Sequence, residues 1–580
     1  MNIVSIYPHP MDEQYRHDQN VTIISNNKIY SYEEAKLRGA KTDEGNSIPI
    51  RSLFFGFKEI NLVPQKIDYW IFSKPFRKIS LEGYKYFFVD LLKATTKKDL
   101  KKFITKNVIE IPHHMGHIYN GFFASPFKSS KILSIDGGGD FGDQRRMLWG
   151  EINYKGSDKL NFKKFGETFN NQGLGIAAFH NHLTDVLGFY DNNGKTSGLA
   201  AYGKFSKQLY AKLKNFFLLD LKKQKIIFSN KRKKTSTQFE KIKYQTFEPK
   251  KYLKISPTNS KLLNICKKYK AEDIAITGEK LLIDITIDFI KSIFATNKDN
   301  LICVGGLFNN VVLNKEIIKK TEFKNYYFSM SPGDSGLSLG MALYIKFKHK
   351  KKKFSKKYMS KFGLSPYLGP SFKDFEIKEI IQNFNLNYKK FDSYKKVNSF
   401  LVKKIVDGKI IGLFRGRGEY GPRSLGSRSI LADPRNINSK QKLNLFIKRR
   451  DWFMPFAPAI IEEKFSEYFN DEKASLYMQL TQKAGSYFKK IAPAACHVDN
   501  SCRTQLVIKE FNPSFHDLIL KFGKLTGCYS ILNTSFNRHG ISTISSPYQA
   551  VEHLLGGTIE YLIINNFIIS LEENRIMKKN

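Results

Sequence analysis

Short apolar runs that end in glycine and acidic residues dominate the first 350 positions. In "KILSIDGGGDFGD" the run at 131–135 predicts a buried strand, and the glycines after Asp136 predict a turn. "LICVGGLFNNVVLN" predicts a strand, a glycine pair and a helix start; "NYYFSMSPGDSGLSLGMALYI" predicts a strand, a Pro-Gly-Asp turn and a helix with small residues on one side. Strand, glycine turn and helix N-terminus is how α/β folds bring backbone N–H groups to a phosphate. Three such units, two with an adjacent aspartate, point to a nucleotide site. The pattern breaks at "KFKHKKKKFSKKYMSKFGLSP", residues 346–366, where lysines give way to Gly, Ser and Pro, as at a junction between domains. Beyond it, "KIIGLFRGRGEYGPRSLG" and "CYSILNTSFNRHG" read as strands entering polar loops, so the second part is α/β or α+β. No short tandem repeat of the solenoid kind occurs.

Length agrees with two domains, since 580 residues exceed what one ordinary core supports. A hydrophobic content of 41% with 14% aromatic residues excludes wholesale disorder. No apolar run approaches membrane-spanning length, and the opening "MNIVSIYPHPMDEQYRHDQ" reaches Pro, His, Asp and Glu too soon for a secretory signal, so a cytoplasmic protein is expected. Five cysteines without a CxxC pair point to reduced thiols rather than a disulfide framework or zinc knuckle. The net charge of +42 would suit a nucleic-acid partner, but the lysines are scattered along solvated faces, and scattered charge speaks to solubility rather than chemistry.

"IPHHMGHIYNGFFASPF" places His113 and His117 four apart, on one face if the segment is helical, which suits two imidazoles on one metal. With Asp136 after the next strand and Asp334 in the Pro-Gly-Asp turn, the set would leave coordination positions for phosphate oxygens. Spacing alone does not separate this from a chance HxxxH on a polar helix face, and His114 is as well placed for a supporting or surface role.

In order along the chain, "HHMGH", "IDGGG", "GKTSGLAAYG", "VGGLFNNVVLN", "GDSGLSLGMAL", "YLGPSF", "GRGEYGPRSLGSRSILADPR", "LNLFIKRRDWFMPFAPAI", "HVDNSCRTQLV" and "LNTSFN" resemble the motifs of the O-carbamoyltransferases, the nodulation-factor and antibiotic carbamoyltransferases among them. The resemblance covers nearly the whole chain. It implies an α/β protein: an N-terminal actin/hexokinase-like (ASKHA, Kae1-like) two-lobed domain at 1–350, a lysine-rich connector at 351–366 and a YrdC-like α/β domain at 367–580. It further implies that carbamoyl phosphate is broken down in the second domain, that its carbamate joins AMP from ATP with release of pyrophosphate, and that carbamoyl-adenylate carbamoylates a hydroxyl, the expected acceptor being a sugar. By the same resemblance a divalent metal, Fe(II) with Mn or Zn as alternatives, falls to His113, His117, Asp136 and Asp334. ATP falls to Gly137, Gly138, Lys195, Gly305, Gly306 and Asn309. His17 and Asp18 match the early "HDxS" motif, with His17 the acid or base at the acceptor, although "HDQN" departs from small residues there. Lys448 with Arg450, and Ser535 with Asn537, match the Lys-x-Arg and Ser-x-Asn pairs, while "HGISTI" replaces a Gly-Glu-Pro continuation.

The arginine distribution adds a physical argument. Arg415, Arg417, Arg423, Arg428, Arg435, Arg449 and Arg450 crowd into 36 residues of a chain that otherwise prefers lysine, with no arginine between Arg232 and Arg415. Carbamoyl phosphate offers oxygen pairs to a guanidinium fork, which lysine cannot match geometrically. Arg417, Arg423, Arg428, Lys448, Arg450 and Arg503 are therefore expected as its ligands, Arg423, Lys448 and Arg450 taking part in catalysis. Glu419 is expected to orient an arginine, and Gly416, Gly418 and Gly421 to let backbone approach the anion. The competing readings are an RNA-binding basic loop, a tRNA threonylcarbamoyl-adenosine enzyme, and a non-catalytic glycan- or nucleic-acid-binding protein of the same fold. The apolar "SILADP" and "PFAPAII" around the arginines favour a folded pocket over an exposed nucleic-acid stripe.

Overall fold

Two five-stranded sheets built on one plan occupy the first part of the chain. The structure, a computed structural model, describes residues 1–8, 18–40, 48–73, 88, 91, 97–137, 145–154, 160–169, 175–189, 193–220, 225–228, 238–240, 253–255, 257–296, 298–350, 358–470 and 472–576. In the first sheet β1 (Ile3–Tyr7), β2 (Asn20–Ser25), β3 (Lys28–Glu33), β4 (Tyr69–Ser73) and β5 (Val108–Ile111) stand in the order β3-β2-β1-β4-β5. The pairs β1–β2 and β2–β3 are antiparallel, while β1–β4 and β4–β5 are parallel. In the second, β6 (Ser129–Ile135), β7 (Arg145–Tyr154), β8 (Leu160–Phe169), β9 (Asn300–Val304) and β10 (Asn325–Phe328) repeat that plan as β8-β7-β6-β9-β10 with the same parallel and antiparallel pairs. The sequence shows no trace of this repeat, because a sheet plan is set by which strands pair and not by shared residues.

Five helices position the site: α1 (His113–Ala124), α2 (Ile176–Val186), α3 (Asn193–Ala200), α4 (Ala271–Ile293) and α5 (Leu337–Lys350). α1 is buried almost all round, as expected of a helix packed on two sides. It crosses α5 where Gly116 and Gly340 meet; a Cβ on Gly340 would stand 2.3 Å from the Gly116 carbonyl oxygen. Only glycine allows that approach, and it brings the first turn of α1 to the start of α5.

After the lysine-rich stretch, eight strands form one sheet: β11 (Lys389–Lys390), β12 (Ile411–Phe414), β13 (Arg428–Ala432), β14 (Ala457–Ile461), β15 (Gln505–Val507), β16 (Ser530–Ser535), β17 (Tyr561–Ile564) and β18 (Phe567–Ser570), in the order β11-β18-β17-β12-β13-β16-β14-β15. Its strands β12, β13 and β14 are buried throughout, which explains the unbroken apolar runs of β12 and β14, while β13 opens on the buried Arg428. Apolar burial does not stop at the lysine-rich stretch: one cluster runs from Ile24 and Phe122 through Leu343 to Leu413 and Ile563. A second packs α4 on the other face of β6 and includes Phe453 from far downstream. Among the described residues no helix is long and apolar enough to cross a membrane.

α2 carries His180, 4% exposed, whose ring burial holds neutral, with a pKa pulled down to about 4. The unfolded chain takes up that proton near pH 6.5 and the folded chain only near 4, so stability falls as pH drops through this window. The expected loss is up to about 3 kcal/mol. Urea unfolding at pH 7 and pH 4.5 should show this slope flattened in His180→Phe.

Candidate functional site

Asp136, Gly305–Gly306 and Asp334 all follow the C-terminal ends of three adjacent parallel strands, β6, β9 and β10, the edge at which open α/β sheets bind ligands. α1 adds His113 and His117, one turn apart. The His117 Nε2 atom lies 3.0 Å from Asp136 Oδ2 and 3.3 Å from Asp334 Oδ1; His113 Nε2 lies 3.6 and 3.3 Å from the same oxygens. The two Nε2 atoms are 3.1 Å apart. All four groups offer ligand atoms within 4.8 Å of one another. Each carboxylate anchors its other oxygen: Asp136 Oδ1 accepts from the backbone N–H of Gly137 (2.7 Å) and Gly306 (3.2 Å), and Asp334 Oδ2 accepts from the Tyr7 hydroxyl (2.9 Å). Such outer hydrogen bonds orient metal-binding carboxylates. Asp334 Oδ1 is buried and accepts no hydrogen bond among the described residues, although it faces both imidazoles, so the donor set fits a divalent cation.

Burial, and for Asp136 the neighbouring Asp334, would raise both carboxyl pKa values, but the two imidazoles outweigh this and hold Asp136 low and Asp334 well below the usual carboxylate range. Burial pulls His117 down, and the two facing carboxylates, Asp136 and Asp334, more than restore it. His114 is buried beneath the site, its ring bonded to Ser134 Oγ and the Arg145 carbonyl, each at 2.9 Å.

The remaining expected nucleotide residues divide. A Cβ on Gly137 would meet open space, and Asn309 keeps a buried Oδ1 without a hydrogen bond among the described residues. Gly305 (φ +97°) packs on the Ile135 carbonyl and Gly306 on Asp136 itself, so this glycine pair buttresses the carboxylate rather than standing open for phosphate. Lys195 departs from expectation: its ammonium is 3.1 Å from Asp451 Oδ2 with both side chains about 3% exposed, so its charge is matched by the far half of the chain. Lys195→Ala should leave Asp451 uncompensated and cost about 3–5 kcal/mol in urea unfolding, while Lys195→Met with Asp451→Leu should recover most of it. Asp18 has a left-handed backbone (φ +61°), and His17 and Gly138 lie outside the described residues.

The arginine-rich segment begins as the loop joining the paired strands β12 and β13, and the guanidiniums expected on the anion fall into two sets. Arg417 spans to the first sheet, donating to the carbonyls of Ile29 (2.8 Å), Gly369 (3.1 Å) and Leu368. Arg428 donates to the carbonyls of Pro370, Gly416, Arg415 and Ser427 and lies over the Phe414 ring. Both were expected on substrate; both instead satisfy backbone carbonyls that hold the loop, while Arg415 donates to Asn398 Oδ1 (2.9 Å) and the Ser514 hydroxyl (2.6 Å). Among the described residues Glu419 forms no ion pair with an arginine: its Oε1 accepts backbone N–H bonds from Leu425, Ser427 and Arg428, and its charge reaches the Arg428 guanidinium only as a nearby field. Gly421 (φ +100°) approaches the Met330 carbonyl, where a Cβ would stand 2.6 Å away, rather than an anion.

Arg423, Arg450 and Arg503 form the other set. They come close enough that burial first, then Arg423 and Arg450, hold the Arg503 pKa well below the usual arginine range; burial takes Arg423 and Arg450 to about 10. Among the described residues none of the three forms an ion pair, and Arg423 Nε is buried without a hydrogen bond. Arg450 is held by Asn444 Oδ1 (2.8 Å) and the Phe456 face. Lys448 ends a π-helical turn (Leu443–Lys448) and donates to Ser535 Oγ (3.0 Å), Asn537 O (2.9 Å) and Asn537 Oδ1 (3.0 Å). The Lys-x-Arg and Ser-x-Asn pairs thus meet, with the lysine enclosed by the second pair.

Tyr420, three residues before Arg423, was not anticipated. Its buried hydroxyl donates to the Ser335 carbonyl and to Asn20 Oδ1 (3.2 Å), and Asn20 Nδ2 donates to the Asp334 carbonyl (3.1 Å). The arginine loop is therefore seated directly on the turn that carries Asp334.

Residues 76–343 match the family model described as carbamoyltransferase N-terminus, and residues 402–571 match that described as carbamoyltransferase C-terminus. The chain belongs to the carbamoyltransferase family. It is therefore a transferase. An uncharacterized protein of Methanocaldococcus jannaschii is 29% identical to this carbamoyltransferase over 505 residues, covering 85% of this chain and 79% of that one. The nodulation protein NolNO of Sinorhizobium fredii is 26% identical over 468 residues, 79% of this chain and 63% of that protein. Among solved structures, full-length HypF in its phosphate- and nucleotide-bound form shares 14% identity at a TM-score of 0.30 over 61% of this chain and 47% of that one, too distant to bear on the chemistry.

Proposed function

We propose that this carbamoyltransferase is ATP-dependent: water hydrolyses carbamoyl phosphate to carbamate and phosphate, carbamate displaces pyrophosphate from ATP to give carbamoyl-adenylate, and a hydroxyl of an acceptor takes the carbamoyl group and releases AMP. A sugar acceptor follows from the resemblance stated above. The reading rests on one observation, the convergence of Arg423, Arg450 and Arg503 with no ion pair among the described residues, Asp451, which acts on Arg450, being held by Lys195. Gathering three buried cations is costly unless an anion joins them, and a planar carbamoyl group on a dianionic phosphate suits their forks. Family membership makes carbamoyl phosphate the anion of choice.

The division of labour in this proposal follows the chain. Residues 1–350 would form a Kae1-like, two-lobed domain, for which the repeated sheet plan of β1–β5 and β6–β10 is the support; 351–366 would connect; and 367–580 would form a YrdC-like domain. His113, His117, Asp136 and Asp334 would hold the divalent cation, and Gly137 and Asn309 would face the nucleotide. When bound, the cation would supply fixed positive charge against phosphate oxygens, the sort of electrostatic stabilisation on which nucleotidyl transfer depends. Arg423 and Arg503 would bind the donor, and Arg450, oriented by Asn444, would complete the fork. Because carbamate loses carbon dioxide in water, the seating of the Tyr420 loop on the Asp334 turn matters: it would keep the second site directly against the first.

Incubating the protein with ATP and carbamoyl phosphate, without acceptor, threonine or bicarbonate, tests this. Pyrophosphate release dependent on carbamoyl phosphate is the expected result; silence there, with release on adding threonine and bicarbonate, would move the chain to the tRNA-modifying reaction.

A further inference from the structure

The reaction above makes no use of the pair Cys496 and Cys502. These residues flank a tight turn in which the His497 N–H donates to the Ser501 carbonyl and the Asn500 N–H to the His497 carbonyl, each at 2.9 Å. The cysteines stand opposite each other just outside that closed turn, with sulfurs 3.6 Å apart. That is about 1.5 Å beyond a disulfide bond length. No metal role competes: among the described residues the sole group of three or more His, Cys, Asp or Glu side chains suited to an ion is the one around His113. Cys496 is half-buried and Cys502 buried.

We propose that Cys496 and Cys502 are a reversible redox modification site, oxidised to a disulfide by a hydroperoxide, and that closing this bond displaces the adjoining Arg503 from the guanidinium group. Two electrons leave the pair. The Cys496 thiolate attacks the peroxide oxygen, breaking O–O and releasing an alcohol or water, and becomes a sulfenic acid. The Cys502 sulfur then attacks the Cys496 sulfur and expels hydroxide, which leaves as water with the Cys502 proton. The local chemistry assigns these roles. A hydrogen bond from Cys502 lowers the Cys496 pKa against its burial, with Lys489 and Lys440 helping, whereas burial first and then Cys496 raise Cys502 well above the usual thiol range. Cys266, Cys303 and Cys528 are buried with raised pKa values, the first and last pushed up to about 12, and make internal controls.

The link to the anion site runs through sequence and charge. Arg503 is bonded to Cys502, and Lys440 is close enough to both Arg450 and Cys496 to feel each charge. Gln482 and Lys483 pair antiparallel with Cys502 and Ser501, and Gln482 Oε1 accepts from the Thr504 hydroxyl (2.6 Å), so strain from drawing the sulfurs together would pass into the segment that carries Arg503. This second half of the proposal rests on the carbamoyl-phosphate reading; formation of the disulfide does not.

The whole protein, treated with hydrogen peroxide and then iodoacetamide and digested with trypsin, should yield the peptide Ile491–Arg503, which holds both Cys496 and Cys502, lighter by two hydrogens and without an alkyl group, restored by dithiothreitol. Cys502→Ser and Cys496→Ser should each abolish that product. In parallel, the KM for carbamoyl phosphate in pyrophosphate release should rise by about tenfold on oxidation of the wild type, and remain at the reduced value in Cys502→Ser, as expected for loss of one charged hydrogen-bonding group. Alkylation of both cysteines after oxidation, or a sulfinic acid on Cys496 with Cys502 free, overturns the site. A disulfide that leaves KM unchanged overturns the link to Arg503. Absence of pyrophosphate release from reduced protein counts against the proposed function instead, and the mass readout still decides the disulfide.

Discussion

Arg423→Lys is expected to cut carbamoyl-phosphate-dependent pyrophosphate release by roughly 10²–10³-fold, the scale seen when a preorganised charged donor is lost at a reacting oxyanion. Lysine keeps the charge and removes the fork. It also carries a compact, strongly hydrated ammonium into a place already shared with Arg450 and Arg503. ATP binding, measured by equilibrium dialysis without carbamoyl phosphate, should change by less than about threefold if the two sites are as separate as independent positions usually are. Equal loss of both would sink the assignment of Arg423 to the donor. Arg417→Lys, six residues earlier in the same loop, should behave differently. Arg417 satisfies the carbonyls of Ile29, Leu368 and Gly369, so its replacement should lower the urea midpoint and leave the KM for carbamoyl phosphate nearly unchanged in the protein that remains folded.

His117→Ala is expected to empty the cation site. His117 Nε2 is the nitrogen nearest Asp136 Oδ2, and without it one imidazole and two carboxylates remain. Metal content by plasma mass spectrometry, after purification in Fe(II), Mn(II) or Zn(II), should fall from near stoichiometric to background. Stoichiometric metal in the variant would refute the ligand set. Tyr7→Phe offers a finer comparison, because it removes the hydrogen bond to Asp334 Oδ2 while leaving all four ligands in place, and should weaken metal affinity by about 10–100-fold without abolishing it. In metal-free protein the sign of the pH effect also follows. Asp136 and Asp334, with lowered pKa values, contribute stability that is present above the ordinary carboxylate pKa and lost as pH falls through their lower folded values; His117, raised, contributes stability lost as pH rises through its folded value. Thermal unfolding of chelator-treated protein should therefore show a fall on the alkaline side that His117→Ala removes.

Sequence periodicity was a good guide wherever a residue's role depends on its near neighbours. The strand before Asp136, the glycine pair after β9 and the helix after Asp334 were all readable, because apolar run length and glycine placement are local properties. His113 and His117 belong with them, since four-residue spacing on a helix fixes a shared face. The arginine loop shows where that reading stops. Arg417 and Arg423 are the same residue type in the same glycine-rich setting, yet one caps carbonyls of the first sheet and the other has no ion-pair partner among the described residues. Nothing within a few positions of either distinguishes them, because the deciding groups, Ile29 O and the Arg503 guanidinium, come from distant parts of the chain. The ion pair of Lys195 was hidden for the same reason: its partner Asp451 lies in the other half.

By itself, then, the order of residues determined the family, the α/β class and the types of side chain available for metal and anion, all of which depend on short-range patterns. Tertiary structure alone decided the repetition of one sheet plan, the seating of Tyr420 on the Asp334 turn, and which guanidiniums were spent on carbonyls. Those outcomes depend on contacts between segments hundreds of positions apart, and a hydrogen-bond donor carries no mark of which distant acceptor will reach it first.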